Sequence, residues 1–221
     1  MKTRLFSLLL ILILSVPFAI AQNTDNKKIS FAVLGGVNFQ NLNGKDVNGD
    51  KLENDILIGY HAGVNVQIPI VPQFYFQPGL LYSLKGAKNT EGSDTYKVKI
   101  SYIELPLNFV YKALLGKGYF FLGFGPYIGY AIGGKIIPES GSAIDIKFKN
   151  TVETGDPEEP YFKAFDAGAN IFAGYELVNG IFLQMNTQLG LLKINPEDKR
   201  ITDDKSSVKN TGFGLSIGYR F

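Results

Sequence analysis

The 221-residue sequence has no cysteine, no tryptophan and a single histidine, His61. Without cysteine the chain can form neither a disulfide framework nor a lipid-modified cysteine anchor. Excess charge is missing too. Of 22 Lys and Arg, Lys2 and Arg4 lie in a segment expected to be removed, which leaves 20 against 20 Asp and Glu. A balanced chain with no long basic run does not point to nucleic acid.

What is present begins with a charged start at Lys2 and Arg4, an apolar run over 5–14 and a small-residue end at Ala19-Ile20-Ala21 before Gln22. That order is the pattern of a secretory signal peptide cleaved after Ala21. The alternative is a spanning anchor, because the run with its flanks approaches the roughly 20 residues a helix needs to cross a bilayer; the flanks favour the signal peptide. The expected organisation is a signal peptide at 1–21, a polar leader at 22–28 and one β-domain at 29–221. About 200 residues is a single-domain length that barrels routinely reach undivided.

At the C-terminus, Thr211, Phe213, Leu215, Ile217, Tyr219 and Phe221 alternate with Gly212, Gly214, Ser216, Gly218 and Arg220. Side chains alternate across a strand, so one face is apolar and the other small or polar. A strand ending in an aromatic also resembles the signal that the outer-membrane assembly machinery reads, which makes Tyr219 and Phe221 candidate assembly residues. Seven more segments repeat the alternation, at 29–40, 55–69, 73–85, 96–111, 119–133, 161–178 and 181–193. The connections at 41–54, 86–95, 134–160 and 194–208 are long and polar, while those at 70–72, 112–118 and 179–180 are short. Asn179-Gly180 is a strong hairpin signal.

Long connections on one end and short ones on the other fit extracellular loops and periplasmic turns. None of the apolar-face positions carries a charge, where a soluble barrel would present Lys and Glu; a charge at the bilayer midplane costs roughly 2–4 kcal/mol. The fold class is therefore all-β, an eight-stranded antiparallel up-and-down transmembrane β-barrel in the outer membrane. Aromatics form two expected girdles. Phe74, Phe109, Tyr111, Phe120, Tyr175, Tyr219 and Phe221 mark the short-turn end, and Phe39, Tyr82, Tyr130 and Phe165 the long-loop end. Pro78, Pro106 and Pro126 lack the N–H a ladder needs, and bulges are the expected accommodation. Lys97-Val98-Lys99-Ile100 runs in the opposite phase to Ile103-Leu105-Leu107, which predicts a bulge near Ser101 or an excursion beyond the membrane.

Four motifs carry a resemblance: Tyr82-Ser83-Leu84-Lys85-Gly86-Ala87-Lys88, Tyr102-Ile103-Glu104-Leu105-Pro106-Leu107, Gly125-Pro126-Tyr127-Ile128-Gly129-Tyr130 and Asp166-Ala167-Gly168. With them the chain resembles the PorT-type outer-membrane β-barrel family of the Bacteroidetes over nearly the whole of 22–221. The resemblance implies an eight-stranded barrel, a porin-like label and an accessory role beside a protein secretion and gliding apparatus.

Eight strands enclose an interior that side chains fill, against about 16–18 in water-filled porins. The inward set contains Tyr75, Phe121, Tyr127 and Phe182 with the ionisable His61, Glu104, Asp166, Glu176 and Arg220. A buried carboxylate needs a partner, so His61 is expected to approach Glu104 in mid-lumen, directly or through water, and Arg220 to pair with Glu176 near the periplasmic end. His61 as a catalytic base would need a nucleophile and an orienting group beside it. No serine is tied to it by local spacing, so a packed lumen histidine is the stronger reading and no enzyme is expected. Asp46-Val47-Asn48-Gly49-Asp50 fails as a calcium loop because Lys51 and Leu57 occupy the glycine and glutamate positions. Asp156, Glu158 and Glu159 form an acidic tip that reads as solvated. Neither metal nor cofactor is expected. The function expected is a structural, adhesive or accessory outer-membrane role, with a small-solute channel, a lipid-modifying enzyme and a soluble ligand-binding barrel as alternatives. Expected partners are outer-membrane lipids, the barrel assembly machinery and a component of a secretion apparatus.

Overall fold

The computed structural model describes residues 28–91 and 94–221. The signal peptide and all but the last residue of the leader lie outside the described residues. Eight long antiparallel strands form the wall: β1 Ser30–Lys45, β2 Leu57–Val71, β3 Phe74–Glu91, β4 Asp94–Leu115, β5 Gly118–Pro138, β6 Phe165–Leu177, β7 Ile181–Gly190 and β8 Ser207–Arg220. Each pairs with its neighbours in sequence, and β1 closes on β8 from Ala32↔Arg220 to Lys45↔Ser207. Closure leaves no strand edge unpaired along the wall, which lipid requires because nothing in the bilayer core can satisfy a free N–H or C=O. Among the described residues there is no helix long and apolar enough to cross a membrane, and strands do the crossing.

Alternation places Val33, Val37, Ile58, Tyr60, Val64, Leu80, Leu105, Ile171, Met185 and Leu215 outward, each at least a third exposed. Two aromatic belts bound this apolar band. At the long-loop end Phe39 stacks on Phe213 at 4.7 Å and Tyr60 on Tyr82 at 5.7 Å, while Phe165 pairs with Tyr130 across β5 and β6. At the short-turn end Phe74 meets Tyr111 at 5.0 Å, Phe76 meets Phe109 at 5.7 Å and Tyr219 meets Phe221 at 4.9 Å.

The structure revises several expected details. β3 and β4 do not stop at a loop over 86–95; they continue paired to Glu91↔Asp94, far past the upper belt. Pro78, Pro106 and Pro126 sit in unshifted register at Pro78↔Leu107, Pro106↔Tyr127 and Ala169↔Pro126, with no bulge. Each removes one N–H, and paired residues on both sides hold the register across the gap. The register slip lies between Ser101 and Tyr102, where Ser101↔Gly133 is followed by Tyr102↔Ala131, so the extra residue is Ile132 of β5. β4 itself keeps phase: Val98, Ile100, Tyr102 and Glu104 are all buried on the lumen side. What changes along β4 is the environment, as the lumen face turns apolar above the belt.

That apolar stretch belongs to a dome built by the long loops. Ile144–Asp145 adds to β5, Lys147–Phe148 pairs with Tyr161–Phe162, and Thr151–Val152 pairs with Glu197–Asp198. The dome core packs Leu42, Val98, Ile100, Tyr102, Ile146 and Ile194 over the upper mouth.

Candidate functional site

The lumen is stacked in layers, and their side chains come from every strand. Beneath the dome core lies an ion cluster. The Lys85 Nζ is 2.6 Å from a Glu104 oxygen and 3.3 Å from Asp166 Oδ2, with all three side chains at most 1% exposed. The Tyr127 hydroxyl donates to Asp166 at 3.2 Å, the Asn210 amide donates to Asp166 at 2.9 Å, and Gln188 donates to Glu104 at 3.0 Å. Lys85 also lies 4.2 Å from the Tyr127 ring centroid, a cation–π contact. Several partners around one ammonium are what permit two carboxylates to remain out of water.

Below it, Asn38, His61, Ser83, Gln184, Asn186 and Glu104 are among the residues around a cavity of about 50 Å³. His61 and Glu104 both line this cavity but do not bond to each other. The expected direct pair does not form because each has closer partners on other strands. His61 Nδ1 lies 2.8 Å from Asn38 Oδ1 and Nε2 lies 2.7 Å from Ser216 Oγ. Asn38 Nδ2 donates to Ser83 Oγ at 3.1 Å and to the carbonyls of Tyr60 and Leu84. Asn38 Oδ1 is thus left as an acceptor, so the imidazole proton sits on Nδ1 and Nε2 accepts from the serine. Gly36 lets the β8 backbone come close: a Cβ there would stand 1.9 Å from the Leu215 carbonyl oxygen, and 2.8 Å from His61 Cε1.

Next toward the short-turn end is an apolar layer of Ala32, Val110, Phe121, Phe172 and Phe182. Phe121 meets Phe172 at 6.2 Å and Phe182 at 6.1 Å in edge-on contacts. At the lower mouth Glu176 accepts from Lys112 at 2.7 Å and from Arg220 at 3.1 Å, and Arg220 also donates to Asn65 and Gln77. Arg220 and Glu176 are therefore brought together, with Lys112 as a third member. This mouth opens into a vestibule of about 560 Å³.

Several contributors escaped the sequence reading, Asn38 and Asn210 among them. Lys85 and Lys112 sat at its strand ends, although counting by two from Gln77 or Glu104 puts both inward. Ser216 is 155 residues from His61, a separation only the closure of β8 on β1 resolves.

Outside the membrane, the dome surface is tied by Lys149–Asp156 at 2.5 Å, Lys199–Glu153 at 2.8 Å and Arg200–Asp198 at 2.7 Å. The Lys149 ammonium, then the Glu153 backbone N–H, hold the Asp156 carboxyl below the usual carboxylate range. The Arg200 guanidinium lowers Asp198 in the same way. Asp46 caps its own turn, accepting from the N–H groups of Asn48 and Asp50 at 2.9 Å each.

The family described as outer membrane protein beta-barrel domain matches residues 20–195. No curated protein matches the chain. Among solved structures, the outer membrane protein OprG from Pseudomonas aeruginosa is 11% identical, with 88% of this chain and 97% of that one covered and a TM-score of 0.47. The attachment invasion locus protein Ail of Yersinia pestis, solved with the heparin analogue sucrose octasulfate, is 12% identical, with 88% and 99% covered and a TM-score of 0.40.

Proposed function

The chain belongs to the outer membrane protein β-barrel domain family, and from that premise we propose that it is a non-conducting outer-membrane barrel whose role is adhesive or accessory and is carried by its extracellular dome. The observation behind this reading is the double closure of the lumen. The dome core seals one end, the phenylalanine layer seals the other, and the buried Lys85 cluster fills the space between with fixed charge pairs. A pore needs continuous water, and side chains occupy that path here. The loops meanwhile are paired and packed instead of trailing as solvated tethers, and preorganised surface lowers the ordering cost of contacting a partner.

The motifs from Tyr82 to Lys88 and from Tyr102 to Leu107 favour the PorT type within the family. On that reading residues 1–21 are a cleaved signal peptide, Tyr219 and Phe221 are read by the assembly machinery, and a component of a secretion apparatus is the accessory partner. Sugar uptake into liposomes containing the purified barrel tests the central claim. Baseline swelling is expected, and swelling comparable to that of a porin would replace it with the small-solute channel. Co-purification from mild detergent, with and without the dome loop 139–164, tests whether a partner is held there.

A further inference from the structure

The charges of the upper lumen do not sum to zero. Glu104 and Asp166 share one ammonium, that of Lys85, with all three side chains at most 1% exposed. Tyr127, Asn210 and Gln188 bring hydrogen bonds to the two carboxylates but no charge. His61 carries a single proton, on Nδ1, and is neutral, while Lys112, Arg220 and Glu176 lie beyond the phenylalanine layer. One negative charge is therefore left over, out of reach of bulk water, where an unpaired charge is costly. The cluster is short of donors as well: Asp166 Oδ1 and Asn210 Oδ1 are buried with no hydrogen-bond partner.

The space next to this excess charge is polar. Glu104 is the one carboxylate on the wall of the cavity of about 50 Å³, and eight amide side chains share that wall with it. Gln188, which also borders the cavity, holds Glu104 Oε2, while Lys85 takes Oε1. Gln184 and Asn186 precede Gln188 on the same face of β7, line the cavity and make no hydrogen bond to another described residue. Their oxygens are free for a ligand inside.

We infer that this cavity binds one monovalent metal cation of the sodium or potassium class, held by Glu104 with the amide oxygens of Gln184 and Asn186. Neutral oxygens replace part of a hydration shell, as carbonyl rings do in ion filters. A water needs roughly 10–15 Å³, so the volume admits a bare ion with one or two waters and no larger solute. A single positive charge brings the cluster to zero. A divalent ion would overshoot and recruits several carboxylates, and among the described residues no three or more His, Cys, Asp or Glu gather as such a site. The bound ion ties β4 to β7 across the lumen, and because its ligands meet only in the closed barrel, folding takes it up.

The test is urea unfolding of the purified barrel in detergent at constant ionic strength, with choline chloride replaced stepwise by sodium or potassium chloride; choline is too bulky for the cavity. For at least one of the two metals, the unfolding constant should fall by up to about tenfold for each tenfold rise in its concentration, the response to one bound ion. Glu104→Gln leaves Lys85 and Asp166 as a balanced pair and should abolish the response. Gln184→Met with Asn186→Leu keeps every charge and should move its onset to at least about tenfold higher salt. Asp156→Asn, on the dome surface, should respond as the wild type does. A wild-type barrel equally stable in sodium, potassium and choline overturns the inference, and is the result expected if Glu104 and Asp166 share a proton instead. A response unchanged in Glu104→Gln, or unchanged in the amide double variant, overturns it too. Either variant decides where the other does not fold, and the wild-type comparison needs neither.

Discussion

The Lys85 ammonium lies 2.6 Å from the Glu104 carboxylate with neither side chain more than 1% exposed, and Asp166 completes the cluster from a third strand. One cation therefore holds β3, β4 and β6 together against two anions. Removing only the cation should cost more than removing the whole cluster, because an unpaired buried carboxylate is the expensive species. Lys85→Met is expected to lose about 3–5 kcal/mol, and Lys85→Met with Glu104→Gln and Asp166→Asn distinctly less. Urea titration of the folded, heat-modifiable band measures both; equal losses would show that the cluster is not electrostatically coupled.

The two apolar closures act in series. Phe172→Ala removes the ring facing Phe121 and should destabilise the barrel by about 3–5 kcal/mol, yet planar-bilayer conductance should stay at baseline while Ile100, Tyr102 and Ile194 close the other end. Removing the loop 139–164 as well should still leave conductance at baseline, because the Lys85–Glu104–Asp166 cluster continues to fill the lumen between the two closures. Current through Phe172→Ala alone would mean that the dome is not a seal.

Arginine placed on the outer wall separates lipid from water. Leu215→Arg, on the apolar band between the belts, should cost roughly 2–4 kcal/mol. Ile201→Arg, exposed on the dome, should stay within about 0.5 kcal/mol. Equal costs in a lipid unfolding assay would remove the band's assignment to the bilayer.

The dome should lose stability in acid. Asp156 and Asp198 titrate lower in the folded state than in an unfolded chain. Their contribution is thus complete above the ordinary Asp value of about 3.9 and fades as pH falls through their own lower values. An NMR titration should find Asp156 ionising below that ordinary value, and Lys149→Met should move it back up. An unmoved midpoint would show that the contact with Lys149 is not maintained in solution.

Orientation gives the last test. An epitope within 144–162 should be reached by antibody on intact cells, and one at Asn179-Gly180 should be reached only after the outer membrane is opened. Labelling in the reverse sense would invert the barrel.

The wall was legible because lipid imposes one rule on every strand, and Leu215, Met185, Ile171 and Val64 obey it without exception. The dome was not. Val98 and Ile100 look out of phase only if apolar means lipid-facing; above the upper belt the outside is water and the apolar side turns inward, as in a soluble domain. Lumen charges were legible one at a time from their parity, and Arg220 with Glu176 also by depth. Which groups meet elsewhere depends on strand stagger, which sequence period does not encode, so His61 bonds Asn38 and Ser216 and not Glu104.

Closure of β1 on β8 also sets an order of events. Ala32↔Arg220 and its neighbours join the two ends of the barrel in sequence, while every other wall contact is made between adjacent segments. Hairpins can form as soon as both of their strands exist, but this last ladder carries the greatest chain-closure entropy. Until it forms, a nearly finished sheet presents two open edges able to pair with other chains. The slow phase of folding should therefore be the zipping of β8 onto β1, and the species accumulating before it should be the aggregation-prone one.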